Sequence, residues 1–164
     1  MKSYNKGLVL FFSLLFPTLL FLFLKYFGDN KYEIQKIDLE CDIKIEDIKD
    51  LNEAITFKEI KVIDLRTDDN RKLIDNYLNK VFLNKKIKII TLSEQDRNLK
   101  WTNIPLSKLT IDNLLMCYSR NDTFKSFVLL LDKENSMRGI YNIELQSEFE
   151  RLNVEIDILK LENE

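Results

Sequence analysis

For its soluble part this sequence predicts an α/β domain with the core order βαβαββα, preceded by an apolar N-terminal helix. Three observations carry that expectation. Two strand-like runs, KEIKVIDL and KKIKIITLS, bracket a stretch of helical periodicity. Two more, SFVLLLD and MRGIYNI, are separated only by KENS, the spacing of an antiparallel hairpin with a four-residue loop. The chain then closes on an amphipathic segment, ELQSEFERLNVEIDILKLENE. At 164 residues it has room for one domain with a sizeable core.

Taken in order, the first element lies between Lys6 and Lys25, where 18 uncharged residues include eight leucines and five phenylalanines. That is about the length needed to cross a hydrocarbon core of ~30 Å as a helix. Residues 1–27 therefore read as a single-pass anchor in the lipid bilayer. Pro17 kinks such a helix without forbidding it. A cleaved signal peptide would have a shorter apolar core and a small-x-small site, which KYFGDNKYE lacks. Lys2 and Lys6 on one side balance Lys25, Lys31 and Lys36 on the other, so the positive-inside rule does not orient the span.

Residues 28–57 are polar and mixed, an N-terminal extension of the soluble domain. They show strand-like alternation in YEIQKID and helical spacing at Ile45, Ile48, Leu51 and Ile55. The domain proper covers 58–164. Lys61 to Leu65 and Lys88 to Thr91 should be neighbouring parallel strands. The helix between them sets Leu73, Ile74, Tyr77, Leu78, Val81 and Phe82 on one face, with Asp68 or Asp69 as its cap. A polar loop holding Trp101 and Pro105 leads to a short helix, LTIDNLLMC. Phe127 to Leu131 should then run antiparallel to one of the first two strands. The closing helix presents Phe149, Leu152, Ile156 and Leu159 at spacings of three, four and three. This element order is that of the thioredoxin fold.

Composition removes several functions. The chain has no histidine, and so lacks the commonest general base and the commonest transition-metal ligand. With three glycines it cannot build a glycine-rich phosphate cradle, so no nucleotide is expected. Lys and Arg total 25 against 27 acidic residues and are scattered, which disfavours nucleic acid. No cofactor is expected.

FVLLLDKENSMRGIYN, followed by a helix beginning EFERLNVEIDIL, resembles the C-terminal end of the Sco/SenC family. The matching positions are Phe127 to Asp132, Arg138 to Tyr141 and the closing helix. A weaker similarity covers KVIDLRTDDN through KIKIITLSEQDRN, with NLKW at the family's tryptophan. The resemblance implies a membrane-anchored thioredoxin-like protein serving copper delivery or thiol redox work in cytochrome c oxidase assembly. It also implies a soluble domain on the periplasmic or extracytoplasmic side.

The family's site is a C-x-x-x-C turn after the first core strand, with a distant histidine before the hairpin. Thiolate and imidazole suit copper. Here the corresponding turn is Leu65, Arg66, Thr67, Asp68, Asp69, Asn70, Arg71 and Lys72, and the region before the hairpin is NDTFKS. Neither cysteine nor histidine is present, and no proline lies between Pro105 and the C-terminus. The site is degenerate, with no catalytic and no metal-ligating residue expected. Setting Cys41 against the first family cysteine puts Ile45 where the second belongs.

The two cysteines, Cys41 and Cys117, are 76 positions apart and fit no metal-ligand spacing. On the apolar helix LLMC the ordinary reading of Cys117 is a buried core thiol. The pair could instead form a disulfide in an oxidising compartment. Asp68, Asp69 and Asp122 are best read as helix cap and solvated loop. With the site degenerate, the resemblance implies a non-enzymatic accessory subunit or assembly scaffold that binds a respiratory complex or its assembly factors. The alternative is a thiol-redox enzyme or copper carrier using Cys41 and Cys117.

Overall fold

The computed structural model describes residues 6–27, 33–41, 45, 48, 51, 55, 58–67, 72–119, 126–142 and 144–162. The chain divides into two compact units, Met1–Tyr32 and Glu33–Glu164. In the first, helix α1 (Lys6–Phe27) continues through Pro17. Its large apolar side chains are exposed, Phe21 at 71% and Phe16 at 68%. Among the described residues no helix is long and apolar enough to cross a membrane.

The second unit is built on β1 (Lys61–Arg66), α2 (Lys72–Lys85), β2 (Lys88–Ser93), β3 (Thr102–Pro105), α3 (Lys108–Ser119), β4 (Ser126–Leu131), β5 (Met137–Tyr141) and α4 (Gln146–Leu161). The sheet order is β3-β2-β1-β4-β5. Strands β1 and β2 are parallel, with Lys61 opposite Lys88 and Leu65 opposite Leu92. Strand β4 runs antiparallel to β1 and continues through the hairpin into β5. The segment β2-β1-β4-β5, a βαβ unit joined to an antiparallel hairpin, is the thioredoxin arrangement.

All six residues of β1 and of β4 are buried, because helices cover both faces of the sheet. One face packs Ile63, Leu65, Ile90, Leu92 and Leu129 against Ile111 and Leu114 of α3. The other packs Val62, Ile89, Val128 and Leu130 against Ile74, Leu78 and Val81 of α2 and Leu152, Ile156 and Leu159 of α4. Ile45, Ile48 and Leu51 join the α3 layer. Ile55 N–H donates to the Leu51 carbonyl at 2.7 Å, a helical bond. The rest of the helix expected there lies outside the described residues.

Three expectations need correction. The polar loop after β2 contains a fifth strand, β3, parallel to β2 with Ile90 opposite Thr102 and Ser93 opposite Pro105. Only Ile104 of its four residues is buried, so no period can show. Its place at the sheet edge tolerates a proline. The strand expected in YEIQKID is absent: residues 33–41 are irregular and cross the sheet edge beside β5. Ile34 packs on the α2/α4 side while Leu39 and Cys41 pack on the α3 side, so the alternation reflects a change of layer. Leu73 is 53% exposed and lies off the buried face of α2.

The hairpin turn is set by Asp132. Its Oδ1 accepts the N–H groups of Glu134 (2.9 Å) and Ser136 (2.8 Å), and its Oδ2 accepts Arg138 Nε at 2.7 Å. Asn135 takes a left-handed φ of 65°, which asparagine tolerates. Its Oδ1 accepts the buried Lys61 ammonium at 2.6 Å.

Gly139 is required by its neighbour: a Cβ there would lie 2.0 Å from the Tyr141 hydroxyl oxygen. Tyr141 is fully buried, donates its hydroxyl to Glu155 of α4 and stacks under the Arg151 guanidinium at 4.6 Å. Gly139→Ala should therefore cost about 1–3 kcal/mol by overpacking. A urea midpoint equal to that of the parent would contradict this.

Burial, then the bond to Glu155, holds the Tyr141 phenol protonated above its ordinary range. An unfolded tyrosine loses its proton near pH 10, so above that pH the folded state holds the extra proton. Stability should then fall by about 1.4 kcal/mol per pH unit from this one group. Urea titrations across about pH 9 to 11 should give a steeper decline for the parent than for Tyr141→Phe. Equal slopes would contradict the assignment.

Candidate functional site

In sheets with parallel strands, ligand sites lie beyond the C-terminal ends of those strands. Here those ends are Arg66, Ser93 and Pro105, and the connection from β1 to α2 starts at the first of them. Alternate residues of a strand share a face. Asp64 and Arg66 therefore lie with Val62 on the α2/α4 side, and Thr91 and Ser93 lie there with Ile89. All four polar residues are buried.

Asp64, Arg66 and Thr91 form a connected network, whereas the Ser93 hydroxyl turns away to the Gln95 carbonyl and Asn103. Arg66 directs Nε (2.8 Å) and Nη2 at Asp64 Oδ2 and Nη1 at Asp75 Oδ1 in the first turn of α2 (2.7 Å). The Thr91 hydroxyl donates to the same Asp64 oxygen at 2.8 Å, and the Trp101 indole N–H donates to Thr91 at 2.9 Å. Arg97 approaches the other Asp75 oxygen at 3.9 Å. Burial pushes the Asp64 carboxyl up from its ordinary value, opposed by the charge and hydrogen bonds of Arg66 and by the bond from Thr91. Burial works against the Arg66 charge too, but Asp64 and Asp75 outweigh it and hold the guanidinium above its ordinary value. Asp64 Oδ1 and the Ser126 hydroxyl are buried without a hydrogen-bond partner among the described residues.

Of the turn singled out from the sequence, Leu65 is buried in the α3 layer and Arg66 anchors the network. Thr67 is half-buried, and Lys72 opens α2 exposed. Asp68, Asp69, Asn70, Arg71 and Asp122 lie outside the described residues. Cys117 is not the buried free thiol expected: Cys41 and Cys117 form a disulfide with Cα atoms 5.7 Å apart. Cys41 packs on the α3 face, so the pair is on the opposite side of the sheet from Arg66. The structure does not bring the cysteines to the turn.

The described part of this turn does not fit copper. Copper delivery needs soft thiolate or imidazole donors, whereas the strand end presents a guanidinium committed to two carboxylates. What the arrangement does is lock the β1 end to α2. Sequence reading missed Asp64, Thr91 and Asp75. The available signal was D-x-R on one face of a strand otherwise rich in apolar residues, KVIDLR.

No protein-family model and no curated protein matches the chain. Among solved structures it is similar to BsSco, a member of the Sco family of cytochrome c oxidase assembly proteins in which a disulfide switch was identified. The TM-score is 0.45 and the identity 14%, covering 78% of this chain and 93% of that one. A likeness of this size leaves the fold to be read from the strand order itself.

Proposed function

We propose that this chain is a membrane-anchored, thioredoxin-like protein without catalysis of its own. It binds a protein partner and acts as an accessory subunit or assembly scaffold. The observation that supports this reading is the Asp64–Arg66–Asp75 network. A strand end where a thioredoxin-type domain would expose reactive groups is tied up in internal ion pairs, and the chain has no histidine to replace them. The surface over that end, formed by the start of α2 and the β2–β3 connection, is then available for docking.

The partner class, a respiratory complex or its assembly factors, rests on the Sco/SenC resemblance of Phe127 to Asp132 and Arg138 to Tyr141. The anchor rests on the uncharged run between Lys6 and Lys25. Placing the domain on the periplasmic or extracytoplasmic side rests on the resemblance alone. Carbonate extraction of membranes should leave the protein in the pellet, and alkaline phosphatase fused after Glu164 should be active. Carbonate release would end the anchor reading, and an inactive phosphatase fusion would end the topology.

The disulfide favours one alternative, in which Cys41 and Cys117 are the working groups of a thiol-redox enzyme or copper carrier. Equilibrating the reduced protein with Cu(I) and a competing chelator separates the two readings. The proposed function predicts no bound copper. One equivalent retained, and lost in Cys41→Ser or Cys117→Ser, would put the alternative first.

A further inference from the structure

The 33–41 segment is held lightly. None of its residues is fully buried. Among the described residues its backbone makes one main-chain bond to the sheet, Ile37 N–H to the Met137 carbonyl at 2.8 Å. Arg138 donates to the Ile34 carbonyl, and Lys36 pairs with Glu134 at 3.1 Å on the exposed surface. Ile34 N–H reaches Glu162 at 3.2 Å. A cleft of about 580 Å³ separates part of the segment from the domain, with Ile34 and Ile37 on one wall and Ile140 and Arg151 on the other. Beyond Ile37 the hold is the apolar contact of Leu39 and the covalent bond of Cys41 to Cys117. Both cysteines are partly exposed, and Met116 next to Cys117 is 76% exposed.

We propose that the Cys41–Cys117 disulfide is an exchangeable bond whose reduction by a dithiol frees the 33–41 segment as a strap and uncovers the outer edge of β5. The inference is independent of which partner the protein binds. The attacking thiolate bonds to one of the two sulfurs, the Cys41–Cys117 bond breaks, and the other sulfur leaves as a thiolate that takes a proton from water. The second thiolate of the reductant then attacks its own sulfur in the mixed disulfide, and the remaining cysteine leaves and is protonated. Two electrons and two protons pass to this chain while the dithiol becomes a disulfide.

The test uses the full chain in detergent micelles, equilibrated with dithiothreitol redox buffers without denaturant. Thiols are counted by alkylation, and backbone exchange is read in a short deuterium pulse. Two thiols should appear together, and the Ile37 amide should exchange at least about tenfold faster, as a locally opened segment does. Val62 and Leu129 should take up no label in the same pulse. The Cys41→Ser/Cys117→Ser variant should expose Ile37 with or without reductant. The proposal is overturned by a bond that resists excess dithiothreitol or by an Ile37 amide that stays protected after reduction or in the double variant. It is equally overturned if Val62 and Leu129 take up label as fast as Ile37, because the reduced protein would then have opened as a whole instead of releasing a strap.

Discussion

Replacing Arg66 by alanine should destabilise the soluble domain by about 3–5 kcal/mol, the cost of leaving a buried carboxylate without its partner. Arg66 and Asp64 both have side chains with no solvent exposure. The paired replacement Asp64→Leu/Arg66→Met removes the charges together and should be close to neutral or stabilising. Urea unfolding of the two variants beside the parent measures the difference. A single variant within about 1 kcal/mol of the parent would mean that water reaches the pair, as it reaches exposed ion pairs of that size. The network would then not close the strand end.

Removing the disulfide in Cys41→Ser/Cys117→Ser should lower stability by about 4 kcal/mol, since the bond closes a long loop in the unfolded chain. The sequence separation is 76 residues, and the entropy released on opening grows with the logarithm of loop length. The parent should shift by the same amount when excess dithiothreitol is added, and the variant should not respond. A parent that unfolds at the same urea concentration with and without reductant would show that the cysteines are not bonded in the native protein.

The parts of the fold that were legible in the sequence are those where local pattern and tertiary role coincide. KVIDL, KIIT and FVLLL read as strands because apolar and β-branched residues are what a sheet buried on both sides requires. Leu152, Ile156 and Leu159 read as one helical face and are buried as one. The residues that carry the Sco/SenC resemblance are structural ones. Asp132 shapes the turn and holds Arg138, Arg138 reaches the strap at Ile34, and Gly139 makes room for Tyr141, which is tied to α4. They announce a fold and not a chemistry.

Other features depended on partners distant in sequence. Strand β3 has a single buried residue and takes its order from β2. The strap takes its irregular path from two layers it bridges. Asp64 and Arg66 looked like ordinary charges in a short strand. Their burial follows only from the arrival of Thr91, 27 positions on, and of Asp75.

Docking over the closed strand end is the central claim, and site-directed photo-crosslinking in native membranes tests it most directly. Lys72 is exposed at the start of α2, beside the Arg66 network. Leu161 is 71% exposed at the end of α4, where Lys160 donates to the carbonyl of Lys85 at the far end of α2. The two positions thus mark opposite ends of that helix. A photoreactive residue at Lys72 should yield a discrete adduct with a subunit or assembly factor of a respiratory complex, and the same residue at Leu161 should not. No protein adduct from Lys72, or the same adducts from both positions, would contradict the account.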